Sequence, residues 1–369
     1  MVVLLVSNMY PSKEYPSYGV FVRNFEDSLL ENNIKVNKTI LVKQSNRFKK
    51  LYKYIVFYLD IIFKCIIGKY DIVYVHYASH AAIPILIASK FKKFNLFVNV
   101  HGSDVMPEKK SQQKYQKYVK KLMNISNKII VPSKYFKDIV TAKYNVDNNN
   151  IFVSASGGVN KEKFYYIEDK SNIKEKYGIK NKSTIIGYVG RLDIGKGWDT
   201  YIKAIKILKD NDKLRNIIFI VVGSGAEKEQ FKNMIKEFEL EKHIINYDLL
   251  PQKELNNIYN MLDIFCFPTT RKGESLGLVG LEAMMCGVPI LGSRIGALPE
   301  YIDEEGTGML FEVGNQSELA EKILALSNQL ETDKQVKNLY RKRCIEKANE
   351  YRSDKVNKEL YEILYKELR

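Results

Sequence analysis

The sequence predicts an α/β protein of two domains, and three observations carry that reading. Its 369 residues are enough for two domains of ordinary size, each with a core of its own. Through the first half, short runs rich in Val, Ile and Leu alternate with helical stretches, the pattern of a doubly wound parallel sheet. In the second half, strand, glycine-bearing loop and helix recur as a unit. A composition of 45% hydrophobic and 27% charged residues is that of a globular protein.

The strands expected in the first half are VVLLV (2–6), TILV (39–42), DIVYVH (71–76), LFVNVH (96–101), KIIVP (128–132) and IFVS (151–154). Gly19 stands near the start of the first helix, where it either admits a phosphate close to the backbone or simply permits a turn. The apolar run 54–67 is broken by Asp60 and Lys64 and is shorter than the roughly 20 residues a bilayer requires, so it is expected as a buried helix. After the fourth strand comes His101-Gly-Ser-Asp104. A histidine at a strand's carboxyl end lies where α/β sheets bind ligands, and the alternative is a core histidine with its bonds satisfied. Asp104 is open between helix capping and ligand contact. A helix over 108–123 sets Tyr115, Tyr118, Val119 and Leu122 on one face and Lys110, Lys114, Lys117 and Lys121 on another. That lysine face is either solvated or in contact with anionic lipid, and RFKKLYK (47–53) is a second candidate contact. Gly157 and Gly158 allow a hinge or a close backbone approach between the domains.

In the second half, TIIGYVGRLDIGKGWDTYIKAI carries Arg191 and Lys196 in a loop with Gly190, Gly195 and Gly197. Cations held beside a strand-to-helix turn suit a diphosphate; otherwise they are exposed charges. NIIFIVVGSG ends in Gly-x-Gly without the rest of a dinucleotide fingerprint or a P-loop lysine, a weak signal by itself. The densest stretch is PTTRKGESLGLVGLEAMMCGVPILGSRIGALPEYI (268–302), in which a helix opens near Gly277 and stops at Gly287. Glu274 precedes that helix, and Glu282 lies within it among Leu278, Val279, Leu281, Ala283 and Met284. A carboxylate in such company needs partners. The helix mouth offers backbone N–H groups to an anion, and ribose or sugar hydroxyls could serve the acids. Taken alone, the two acids also read as a helix-start residue and a rim residue.

Charge is unevenly spread: residues 1–168 carry net +14 and residues 169–369 net +1. A one-sided basic surface implies an anionic partner, nucleic acid or acidic membrane. Cys65, Cys266, Cys286 and Cys344 show no paired spacing and read as buried thiols of a reducing compartment. Met1 leads straight into a strand without a basic segment or cleavage site, so no signal peptide and a cytoplasmic place are expected.

Two Glu separated by seven residues, Glu274 and Glu282, with Arg191, Lys196 and His101 upstream, resemble the signature of the family-4 retaining glycosyltransferases of the GT-B fold. The resemblance runs from the first strand to about Leu326. It implies two Rossmann-like doubly wound domains facing across a cleft: an acceptor-side domain over 1–165, a nucleotide-sugar domain over 166–350, and a last helix over 351–369 returning to the first domain. It further implies transfer from a nucleotide diphosphate-sugar, UDP favoured over GDP, to a lipid-linked or oligosaccharide acceptor, without cofactor or metal. By the same resemblance Glu274 holds the donor sugar, Glu282 the ribose, and His101 the sugar near its 6-position. Arg191 and Lys196 take the diphosphate, the backbone of Leu276, Gly277 and Leu278 and of Gly19 approaches the donor, and Leu249 and Leu250 read the base. Members of this kind build bacterial capsule, O-antigen or teichuronic acid at the inner face of the membrane. The chain departs from the family in having a single glycine at Gly19, and Ser275-Leu276 where a Gly and an aromatic are usual, which leaves the donor sugar open.

Two rivals remain at this level. A GT-B nucleotide-sugar epimerase would bind the same donor but need proton-transferring acids and no acceptor. A basic nucleic-acid-binding protein would need a stacking face, whereas the aromatics of the basic half are spread through apolar helices and no recognised binding motif is present, so nucleic acid is not expected.

Overall fold

The computed structural model describes residues 1–16, 18–179 and 183–367. The chain divides into two compact units, Met1–Gly158 with Asp354–Arg369, and Val159–Ser353.

The first unit runs β1 (Val2–Ser7), α1 (Val20–Glu31), β2 (Lys35–Ile40), α2 (Arg47–Ile67), β3 (Ile72–His76), α3 (Ala78–Ala88), β4 (Leu96–Asn99), α4 (Lys110–Gln113), α5 (Gln116–Ile125), β5 (Lys128–Val131), α6 (Lys134–Tyr144) and β6 (Ile151–Val153). Its strands form one parallel sheet in the order β2-β1-β3-β4-β5-β6. Side chains alternate between its faces. Leu4, Val6, Val73, Val75 and Val98 pack towards α2, α3, α5 and α6. Val3, Leu5, Tyr74 and Phe97 pack on the other face with Val22 and Leu29 of α1.

The second unit runs α7 (Ser171–Lys176), β7 (Thr184–Val189), α8 (Trp198–Asp210), β8 (Ile217–Val222), α9 (Lys228–Glu237), β9 (Ile244–Tyr247), α10 (Gln252–Met261), β10 (Ile264–Phe267), α11 (Leu278–Met285), β11 (Ile290–Ser293), β12 (Gly308–Phe311), α12 (Gln316–Thr332) and α13 (Lys334–Glu350). Its sheet is parallel, in the order β12-β11-β10-β7-β8-β9. The last helix, α14 (Ser353–Lys366), joins the first unit: Leu360 and Leu364 enter the apolar cluster under α1, and Asn357 Nδ2 donates to Ser28 Oγ at 3.0 Å. The expected end of this helix at Leu368 lies outside the described residues.

Each unit is thus a Rossmann-like doubly wound layer. In each, the strand order reverses once, between β1 and β3 and between β7 and β10, and such switch points open a crevice at the strands' carboxyl ends.

The sequence reading needs four corrections. The first unit closes at Gly158, before the expected 165, because Val159 already pairs with Arg352 of the second unit's return segment. The second strand is Lys35–Ile40 instead of 39–42: β1 is its one partner among the described strands and fixes its register from Val2↔Lys35 to Ser7↔Ile40, and an edge strand tolerates Lys35, Asn37 and Lys38. The helix expected over 108–123 is two helices, parted at Lys114 and Tyr115, the first tied by Gln112 Oε1, which accepts from the backbone N–H groups of Glu108 and Lys109 at 3.0 Å each. The run 54–67 is not a buried helix: in α2 the buried residues are Phe57, Ile61 and Cys65, and the opposite face is exposed.

Candidate active site

At the second unit's switch point two loops meet, the one leaving β7 and the one leaving β10. Glycine lets them approach. Gly197 has φ 76°, and a Cβ there would stand 1.8 Å from the Pro268 carbonyl oxygen. No other residue type fits that spacing in the left-handed region. Gly195 O accepts from the Thr270 backbone N–H at 2.9 Å and from Thr269 Oγ1 at 3.2 Å. Tyr188, on β7, turns its hydroxyl into the same loop and shares its one proton between the carbonyls of Arg191 and Lys196, at 3.1 and 3.3 Å.

The stitched loops hold one ion pair. Lys196 Nζ donates to Glu274 Oε2 at 2.7 Å, with both side chains less than one-fifth exposed, and Thr269 Oγ1, whose single proton is shared with Gly195 O, lies 3.3 Å from the same oxygen. Burial works to raise the Glu274 carboxyl. The charge and hydrogen bond of Lys196 outweigh it, with help from Arg271 and Thr269, and hold the group below its ordinary value. Glu274 is therefore an ionised acceptor at neutral pH.

Three residues on, Gly277 caps α11 at φ 78°, and a Cβ there would meet the Phe267 ring at 2.4 Å. The first N–H groups of a helix have no intrahelical partner, so α11 opens with donors and the positive end of its dipole three residues after Glu274, the carboxylate that holds Lys196. Leu276 is buried beside this mouth. Glu282, further along α11, takes the Tyr259 hydroxyl on Oε2 at 3.1 Å. Burial pushes its carboxyl up to about 7, against the opposing pull of Tyr259 and Lys163.

The remaining predicted residues of this unit stand apart from that pair. Arg191 is 63% exposed and pairs with Asp193 at 2.7 Å. Lys196 is thus held in the buried pair with Glu274, and Arg191 in a surface ion pair with Asp193. Leu249 is 73% exposed in the loop between β9 and α10, with Leu250 half-buried beside it. The Gly-x-Gly of β8 serves packing: a Cβ at Gly223 would stand 1.9 Å from Gly190 O, and one at Gly225 2.3 Å from Leu192 O.

In the first unit the switch point carries two histidines. His101 follows β4 and His76 ends β3, and His76 Nδ1 lies 2.9 Å from His101 Nε2. The rings stack at 5.1 Å, and Phe21 of α1 lies 4.3 Å from His101. Burial lowers both, His101 to about 3, so the pair is neutral around pH 7 and one ring nitrogen donates to the other. Asp104 is fully buried and accepts from the backbone N–H groups of His101 at 3.0 Å and Ala78 at 3.1 Å. It is a structural clasp joining the ends of β3 and β4. Gly19 begins α1 at φ 77°, and a Cβ there would stand 2.5 Å from the Met9 carbonyl carbon, so the turn demands glycine whatever else it does. Nearby, Asn8, Tyr18, Lys43, Gln44, Lys50 and Tyr54 border a pocket of about 180 Å³.

The sequence reading passed over Thr269, Tyr259 and His76. His76 was within reach, because it ends an apolar strand as His101 does. Thr269 and Tyr259 carry no local signal of their partners, which come from 5 and 23 residues away. Among the described residues no group of three or more His, Cys, Asp or Glu side chains is placed to hold a metal ion.

Both units match known protein families. The family model described as glycosyl transferases group 1 matches residues 169–349, and the one described as glycosyltransferase family 4 matches 17–157. The chain is 31% identical to D-inositol 3-phosphate glycosyltransferase of Corynebacterium glutamicum over 195 residues, which is 51% of this chain and 46% of that protein, so the match spans about half of that relative's length. It is 26% identical to N-acetyl-alpha-D-glucosaminyl L-malate synthase of Bacillus anthracis over 81% of this chain and 75% of that one. Among solved structures, Anabaena Alr3699/HepE in complex with UDP superposes with a TM-score of 0.77 at 17% identity, covering 99% of this chain and 100% of that one. With two family models covering both units and two doubly wound sheets that carry the expected loops, the chain belongs to the family-4 glycosyltransferases of the GT-B fold.

Proposed function

We propose that the protein transfers a sugar, a hexose or acetylhexosamine, from a nucleoside diphosphate-sugar to a hydroxyl of a lipid-linked or oligosaccharide acceptor, with retention of configuration. The observation that carries this reading is the Lys196–Glu274 pair at the mouth of α11. An ammonium has three donors, and Glu274 engages one. The others, with the N–H groups of Leu276, Gly277 and Leu278, face a diphosphate whose charge grows as the sugar leaves. The paired carboxylate stays ionised and accepts hydroxyls of the donor sugar. Glu282 holds the ribose, Leu249 and Leu250 flank the base, and Arg191 leaves Asp193 to reach the phosphates. His101, neutral and aligned by His76, contacts the donor sugar, and Gly19 lets the backbone approach the donor. The acceptor hydroxyl attacks from the leaving-group side and passes its proton to a donor phosphate oxygen, so the residues named here need no divalent cation to balance charge.

UDP is the favoured base carrier; the UDP-bound HepE structure, of the same fold, supports that choice. The pocket bordered by Tyr18, Lys43, Gln44, Lys50 and Tyr54, with its hydroxyl, amide and ammonium groups, suits an acceptor. The basic first half meets an anionic membrane surface from the cytoplasmic side, in keeping with a role in capsule, O-antigen or teichuronic-type polysaccharide synthesis. A thermal-shift panel of UDP, GDP, ADP and their sugars in EDTA tests the donor reading. A ligand at 100 times its Kd stabilises by about 2.7 kcal/mol. A shift with UDP and UDP-sugars that survives EDTA is expected; no shift with any nucleotide would remove the donor site.

A further inference from the structure

We propose that α2 is the element by which this protein lies on a membrane, its outer face inserted among anionic lipids. A helix packed on a sheet ordinarily buries one stripe and shows a polar one. This helix buries Phe57, Ile61 and Cys65, and on the opposite side Phe48, Leu51, Ile55, Leu59, Phe63 and Ile67 are each at least half exposed. They follow each other at three- and four-residue steps, so they form one stripe along a helix of 21 residues, about 31 Å long. A contiguous apolar strip of that length marks an interaction surface. No described helix is long and apolar enough to cross a membrane, and α2 has the other form, a strong apolar face with a charged border.

The charges around the stripe select the occupant. Arg47, Lys49, Lys50 and Lys53 are exposed along its first two turns. At its other end Lys92 Nζ donates to Gly68 O, which brings the loop of Lys90, Phe91 and Lys93 beside the helix terminus, with Phe91 72% exposed. Asp60 is the one acid in the helix, and it is taken by Lys64 at 2.9 Å. Both ends of the stripe are therefore basic. A second copy of the chain laid on it, parallel or antiparallel, would bring cations against cations, whereas an anionic bilayer offers hydrocarbon to the stripe and phosphate to both ends. The lysine face of α4 and α5 has no such apolar companion: Lys110, Lys114, Lys117 and Lys121 are exposed, and Val119 and Leu122 are buried.

The inference rests on the anionic-surface partner of the proposed function and needs none of its chemistry. The test is co-sedimentation of the full chain with phosphatidylcholine vesicles, with and without phosphatidylglycerol. Variants are Leu59→Glu/Phe63→Glu on the stripe and Lys114→Ser/Lys117→Ser/Lys121→Ser on the other helices, with light scattering for mass and a melt for fold. The wild type should sediment only with phosphatidylglycerol present, the stripe variant should lose about tenfold or more in partitioning, and the lysine variant should stay within about twofold. A wild type that ignores both vesicles overturns the membrane partner. A stripe variant that binds like wild type overturns the assignment to α2. A wild-type dimer that the stripe variant converts to monomer, without vesicle binding, assigns the face to a second copy instead.

Discussion

The two units share a topology and differ in what their switch points do with polar groups. In the second, the loops leaving β7 and β10 are drawn together through Gly195 and Gly197, and a buried cation and carboxylate are left facing a helix mouth. In the first, the loops leaving β3 and β4 are tied by Asp104, and the groups left there are two neutral imidazoles. A fixed charge pair that is already desolvated suits a charged leaving group, and neutral rings suit sugar hydroxyls. One fold thus yields an electrostatic site and a neutral one from the residues at the strand ends.

The largest expected effect is on the second unit's stability. Lys196→Met leaves Glu274 buried without its cation, which should cost about 3–5 kcal/mol in urea unfolding. Adding Glu274→Gln should restore much of that, since two neutral groups replace the pair. Should the single and double variants unfold alike, the pair is not the clamp between the loops. Turnover comes next. Glu274→Ala should lower the transfer rate ~10²–10³-fold, equivalent to ~2.7–4 kcal/mol, while UDP affinity changes far less. A variant with full transfer activity would detach Glu274 from the chemistry.

The glycines allow the units to be compared directly. Gly197→Ala meets backbone and should cost about 3 kcal/mol or more, whereas Gly157→Ala, also at positive φ but with nothing within 4 Å, should cost about 1 kcal/mol. Equal losses would mean that conformation matters at Gly197 and the loop approach does not. The smallest effect concerns Glu282. Its carboxyl is raised to about 7, above its ordinary value, so folding stability should fall as pH rises from the carboxylate range to about 7 and level off beyond. The ionised form accepts ribose hydroxyls, so UDP affinity should climb over the same interval. Glu282→Gln should weaken UDP by about tenfold and flatten both slopes, which calorimetry at pH 6 and 8 can read. His101, already neutral there, should add no step.

How much was legible before the structure follows from how local each signal is. Five strands of the first sheet and the α11 stretch with Gly277 and Glu274 were readable, because apolar runs, helix starts and glycine stops are short-range features; the polar edge strand β2 was placed four residues late. The pairing of Lys196 with Glu274 was not, since 78 residues separate them and only the strand order of the second sheet makes their loops neighbours. Arg191 was read beside Lys196 from their shared glycine-rich loop and the family resemblance, and neither signals that Asp193, two residues on, pairs with it at the surface. The apolar content of α2 was visible, but its direction was not. Composition cannot say which face of a helix meets the sheet, and here Phe57 and Ile61 do while Leu59 and Phe63 do not.

The central claim, that Lys196, Glu274 and the mouth of α11 form the diphosphate site, is tested most directly by titrating UDP and uridine in EDTA into the wild type and Lys196→Met/Glu274→Gln. The account predicts that UDP binds the wild type without metal, binds the variant at least about tenfold more weakly, and that uridine binds both alike. UDP binding of equal strength in the two proteins would contradict it.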